Sequence, residues 1–133
     1  MNKDRLSLLE NYMQSGISPL LIQNIPATVF DNAVIIKADI DRLQLNGHYE
    51  NIEFCPPEWY KTLLEKSKLG PVILVIENIN EIALEEQTKF VEILKYKKVS
   101  TFDLPKNCFV VATCSDLRMH KMNEEVYSLC AQI

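Results

Sequence analysis

Glu77 and Asn78 end an apolar run, residues 72–76, that Gly70-Pro71 opens. A carboxylate at the C-terminal end of such a run sits where open α/β sheets present their ligands. A carboxylate in that place is a candidate metal ligand. Asn78 fills the neighbouring place, and a neutral amide neither takes a proton from water nor carries a full negative charge. Glu77 is therefore read as a polar strand end that caps the next loop, in preference to a metal ligand. Cys114 is a second candidate, with Asp116 and His120 two and six residues further on. Cys–His catalysis needs hydrogen-bond reach and a device that lowers the thiol pKa. The spacing supplies neither, so no catalytic residue and no metal ligand is assigned.

His48 beside Gly47 reads as a turn residue, and His120 as part of a solvated loop. Two small basic groups remain: Lys95, Lys97, Lys98 with Lys106, and Arg118, His120 with Lys121. They fall at opposite ends of the expected sheet and do not merge into one phosphate-tracking patch. A net charge of −4 gives no general field for nucleic acid. The four cysteines, Cys55, Cys108, Cys114 and Cys130, are widely spaced without a CxxC, which argues against zinc. They read as buried thiols in a reducing cytoplasm. No apolar run reaches membrane-spanning length, and residues 1–5 lack a signal-peptide core. The expectation is a cytoplasmic protein with no membrane partner and no cofactor.

The elements that must position these residues follow from periodicity. Residues 2–15 read as an amphipathic helix with Leu6, Leu9 and Met13 on one face, capped by Asn2 or Asp4 and stopped by Gly16. Residues 18–24 read as a strand and 25–32 as a loop. Residues 33–45 carry both signals, β-branched Val34, Ile35 and Ile36, and helical spacing of Ile36, Ile40 and Leu43; a strand followed by a turn of helix is favoured. Residues 56–67 form a helix with proline in its first turn, with Trp59, Leu63 and Leu64 toward the sheet. A helix is expected over 84–96, a second buried strand over 107–113 and a short helix over 123–130. Strands alternating with helices predict one α/β domain over 1–133, a three-layer sandwich with a mostly parallel sheet.

From Ala33 onward the order of segments resembles the AAA+ ATPase core, closest to the MoxR or magnesium-chelatase-like branch. Pro57-Glu58-Trp59 is similar to the Pro-x-Trp that opens the helix before Walker B. The run 72–76 with Glu77-Asn78 stands at the Walker B position. Glu86-Gln87 and then Phe90 to Leu94 resemble the helix that follows it. The segment 97–105 is similar to the connection ending Leu-Pro, and 109–114 resembles the sensor 1 strand. Residues 124–133 are similar to the helix that bears the arginine finger. Six segments in the right order cover about three quarters of the chain.

The departures from that pattern carry the functional expectation. A Walker A loop requires G-x-x-x-x-G-K-S/T, because backbone N–H groups wrap the phosphates and the lysine neutralises them. The corresponding stretch, 23–30, has neither glycine nor lysine. Walker B is degenerate at Glu77 and Asn78, sensor 1 at Cys114, and the finger position at Leu129. The sequence ends at Ile133, so the lid domain and its sensor 2 arginine are expected to be absent. The resemblance thus implies a pseudo-ATPase acting through protein contacts, as a partner of an AAA+ assembly or by self-association. Val126, Tyr127 and Leu129 are the expected contact residues. Two alternatives stay open: a nucleotide-binding ATPase with an atypical phosphate loop, and a clamp-loader-like adaptor associated with nucleic acid, suggested by Ser128-Leu129-Cys130.

Overall fold

Four β-rich apolar runs build the centre of the molecule, and a computed structural model describes residues 3–16, 18–115 and 121–132. Helix α1 (Lys3–Gln14) leads into strand β1 (Leu20–Gln23). A single 3-10 turn at Ala27–Val29 interrupts the path to β2 (Ala33–Lys37). Then come α2 (Arg42–Asn46), a hairpin of β3 (His48–Glu50) and β4 (Glu53–Cys55), and α3 (Glu58–Ser67). Strand β5 (Val72–Glu77) is followed by 3-10 turns at Ile79–Glu81 and Glu86–Phe90, and by α4 (Val91–Tyr96). A small ribbon of β6 (Lys98–Val99) and β7 (Phe102–Asp103) precedes β8 (Cys108–Cys114). Helix α5 (Glu124–Leu129) and β9 (Ala131–Gln132) complete the order.

The main sheet has five strands in the order β2-β5-β8-β1-β9, all parallel. Val75 pairs with Val111 across β5 and β8, and both side chains are 0% exposed. Strands buried on both faces need no polar alternation, which is why 72–76 is continuously apolar. Successive side chains split between two cores. Val72, Leu74 and Ile76 pack with α3, α4 and α5, through Trp59, Leu63, Ile93, Leu94 and Val126. Ile73 and Val75 pack on the other face with Leu9 of α1 and with Ile25 and Ala27 of the β1–β2 connection. Crossovers running from β2 toward β9 carry their helices on the first face. The one reverse crossover, β1 to β2, runs over the second face, as right-handed connections require.

The expected strand-then-helix over 33–45 is observed as β2 and α2. Three expectations need correction. Residues 84–96 are not one helix: Glu86–Phe90 is a 3-10 turn that leads into α4. There the Thr88 hydroxyl donates to Glu85 O at 2.6 Å, and such local side-chain bonds compete with the regular ladder. Leu64 does not face the sheet. The buried stripe of α3 is Trp59, Tyr60 and Leu63, and Leu64 lies a further step round the helix. His48 is no turn residue but the first residue of β3. In α1, Leu9 is buried and Met13 half-buried, whereas the Leu6 side chain and Asn2 lie outside the described residues.

Candidate functional site

The carboxyl ends of β2 and β5 open into a cleft of about 370 Å³ lined by Lys37, Ala38, Asp39, Glu77, Asn78, Glu81 and Ile82. Parallel pairing creates it: Lys37 and Glu77 are register partners, and Ala38 N–H donates to Glu77 O at 3.0 Å. Glu77 ends the buried run half-exposed, because β5 leaves the core at that residue. Asn78 then takes a left-handed conformation (φ 58°), which asparagine tolerates better than most side chains. Its N–H donates to Thr113 Oγ1 at 3.1 Å. Glu77 and Asn78 therefore both line the cleft.

The other candidate residues do not join them. Cys114 is buried with its Sγ 3.9 Å from Ile22 O, facing the core that also holds Cys130. Burial pushes the Cys130 thiol up to about 12, and the Cys114 sulfur beside it adds to the rise. Asp116, Arg118 and His120 lie outside the described residues. Leu129 is half-buried against the first core, Tyr127 likewise, and Val126 is fully enclosed and presents nothing to a surface.

Sequence reasoning missed the polar clamp behind the cleft. Asn80 Nδ2 donates to Ser115 Oγ at 2.9 Å, and Ser115 N–H donates to Asn80 Oδ1 at 3.1 Å. Gln87 is completely buried. Its Nε2 donates to Lys121 O at 2.9 Å and Ile82 O at 3.3 Å, and its Oε1 accepts from Asn123 N–H at 2.7 Å. Asn78 and Asn80 just after the run 72–76, and Ser115 just after the strand expected over 107–113, were the available signal.

The cleft is a poor host for phosphates. One lysine faces three carboxylates, Asp39, Glu77 and Glu81. Other lysines are engaged as backbone tethers: Lys66 Nζ donates to Ala33 O at 2.9 Å, Lys89 Nζ to Ile40 O at 2.6 Å and Lys97 Nζ to Cys108 O at 2.8 Å. Partial burial lowers the Lys89 pKa, with Glu86 opposing and Arg42 reinforcing the shift. The segment after β1 offers no anion cradle either. Asn24 N–H donates to Cys114 O at 2.8 Å, and Ile25 and Ala27 then turn into the core. No α-helix starts within 24–32, so this segment aims no helix N-terminus at the site.

Among the described residues, no buried side-chain nitrogen or oxygen lacks a hydrogen-bond partner. The carboxylates of the cleft do not converge on a common point for a metal ion, whereas His48, Glu50 and Cys55 on the β3–β4 hairpin bring ligand atoms within 4.8 Å of one another. No helix among the described residues is long and apolar enough to cross a membrane. Compared with known protein families and with curated proteins, the chain matches none.

Proposed function

We propose that this chain is a non-catalytic, ATPase-like domain, similar to a degenerate AAA+ core of the MoxR or magnesium-chelatase type, that acts through protein contacts. The observation that carries this reading is the β1–β2 connection. Where a phosphate loop and its helix would stand, residues 24–32 form a short apolar cover with Ile25 and Ala27 buried against the sheet. Two further observations support it. Strand β5, which carries the Walker-B-like residues, lies directly beside the sensor-1-like strand β8, an adjacency compatible with such a core. The acidic cleft weighs against a bound nucleotide and equally against a nucleic-acid adaptor.

Contacts would form at the open edge of the sheet and on α5. β2 is an edge strand, and Ile35 is exposed on it. Unpaired edges favour pairing with another chain. Tyr127 and Leu129 remain partly accessible. The partner is either a second copy of the chain or a full AAA+ protein. Light scattering over a range of concentrations, with affinity capture, tests this. The wild type is expected to exceed the monomer mass of 15.3 kDa or to retain an AAA+ protein, and Ile35→Lys or Tyr127→Glu to weaken that association. A strict monomer that captures no such protein contradicts the proposal.

A further inference from the structure

We propose that the outer face of the β3–β4 hairpin is a zinc-class metal site formed by His48, Glu50 and Cys55. This inference is independent of the ATPase-like reading. Antiparallel pairing sets His48 opposite Cys55 and Glu50 opposite Glu53. Side chains alternate along a strand, so 48, 50, 53 and 55 share one face and Tyr49 and Phe54 the other. The second face anchors the hairpin: Phe54 meets Tyr49 at 5.2 Å between ring centroids and stacks on Phe102 at 5.3 Å. The ligand face is left to solvent.

The local backbone brings the strand positions that carry the three ligands together. Asn51 adopts φ 58° in the two-residue turn between the strands. Gly47 enters β3 at φ 83°, and a Cβ there would lie 2.5 Å from Cys55 O and 2.8 Å from the Phe54 ring. Only glycine allows His48 to start this close to Cys55. Tetrahedral zinc with bonds of about 2.0–2.3 Å has ligand–ligand edges of about 3.3–3.8 Å. The His48 Nε2 to Glu50 Oε1 distance of 3.4 Å already matches such an edge. The sulfur has to close by up to about 1.3 Å to reach such an edge, since all three ligand atoms lie within 4.8 Å.

The donor set selects the metal. One imidazole, one thiolate and one carboxylate suit zinc, whereas magnesium and calcium prefer oxygen alone. Glu53 on the same face adds negative charge near the cation. As the metal–sulfur bond forms, the Cys55 thiol proton leaves to solvent. Water completes the fourth position. Cys108, Cys114 and Cys130 are buried and do not compete. The sequence hid the site because its cysteine has no cysteine neighbour: the pairing is His48-x-Glu50 with Cys55 across the turn.

Cobalt(II), a spectroscopic stand-in for zinc, tests the site on the full reduced chain. The expected result is one saturable complex with a thiolate-to-cobalt charge-transfer band, displaced by zinc. Cys55→Ser should abolish the band, while His48→Gln and Glu50→Gln weaken binding by about tenfold or more. All three positions are exposed or half-buried, and circular dichroism checks that the variants stay folded. A missing band, a band that survives Cys55→Ser, or wild-type affinity in both other variants overturns the proposal.

Discussion

Raising the pH from 8 to 10 should weaken this fold through two buried thiols. Burial pushes Cys108 up to about 11 and Cys130 up to about 12, from an ordinary value of 9.0. Lys97 beside Cys108 opposes its shift, and Cys114 beside Cys130 adds to it. Between pH 9 and about 11 the unfolded chain releases protons that the folded chain keeps. The folded state binds more protons in that window, so stability falls as pH rises. Each thiol contributes about 1.4 kcal/mol per pH unit once its unfolded form titrates. Together they remove about 3 kcal/mol by pH 10, a change of about 100-fold in the folding equilibrium. Tyr60, raised above 10.0 by burial and then by Asp103, acts in the same sense at higher pH. Lys89, lowered from 10.5, acts in the opposite sense as pH rises through its folded-state pKa. Urea unfolding with reductant at pH 8 and pH 10, in wild type and in a Cys108→Ala/Cys130→Ala variant, isolates the thiols. The wild type should lose about 3 kcal/mol more than the variant over this interval. Equal losses in the two proteins would refute the assignment.

Three further outcomes are expected. Val75→Asp sets a charge at a fully buried position between β2 and β8, a cost above about 4 kcal/mol; a normal melting curve would show that β5 is not central. Gly47→Ala meets both the positive φ and Cys55 O, and should cost about 1–3 kcal/mol and loosen the hairpin in hydrogen exchange; unchanged protection of the hairpin amides contradicts this. Gln87→Leu leaves Lys121 O and Asn123 N–H without their partner and should cost about 3 kcal/mol by urea unfolding; a loss of only a few tenths would contradict it.

The parts of the fold written in local patterns were legible. Continuous apolar runs marked β5 and β8 as central strands, and β-branched Val34 to Ile36 identified β2 despite a competing helical spacing. What depended on register or on distant partners was not. The cleft joins Lys37 and Asp39 to Glu77 through the pairing of β2 with β5, which no local signal specifies. His48 meets Cys55 only once the hairpin turn is fixed at residues 51 and 52. Cys114 was drawn to the site by its place at a strand end, but the alternation of β8 turns it into the core. Residues 84–96 carried a helical pattern, yet Gln87 and Thr88 spend their polar groups on backbone partners.

The proposed non-catalytic function requires that the segment after β1 hold no phosphate, and a calorimetric titration with magnesium ATP tests this most directly. The expected result is no binding heat and no rise in melting temperature at millimolar nucleotide. A saturable isotherm, with stabilisation near the roughly 2.7 kcal/mol due at 100 times the dissociation constant, would contradict the non-catalytic reading.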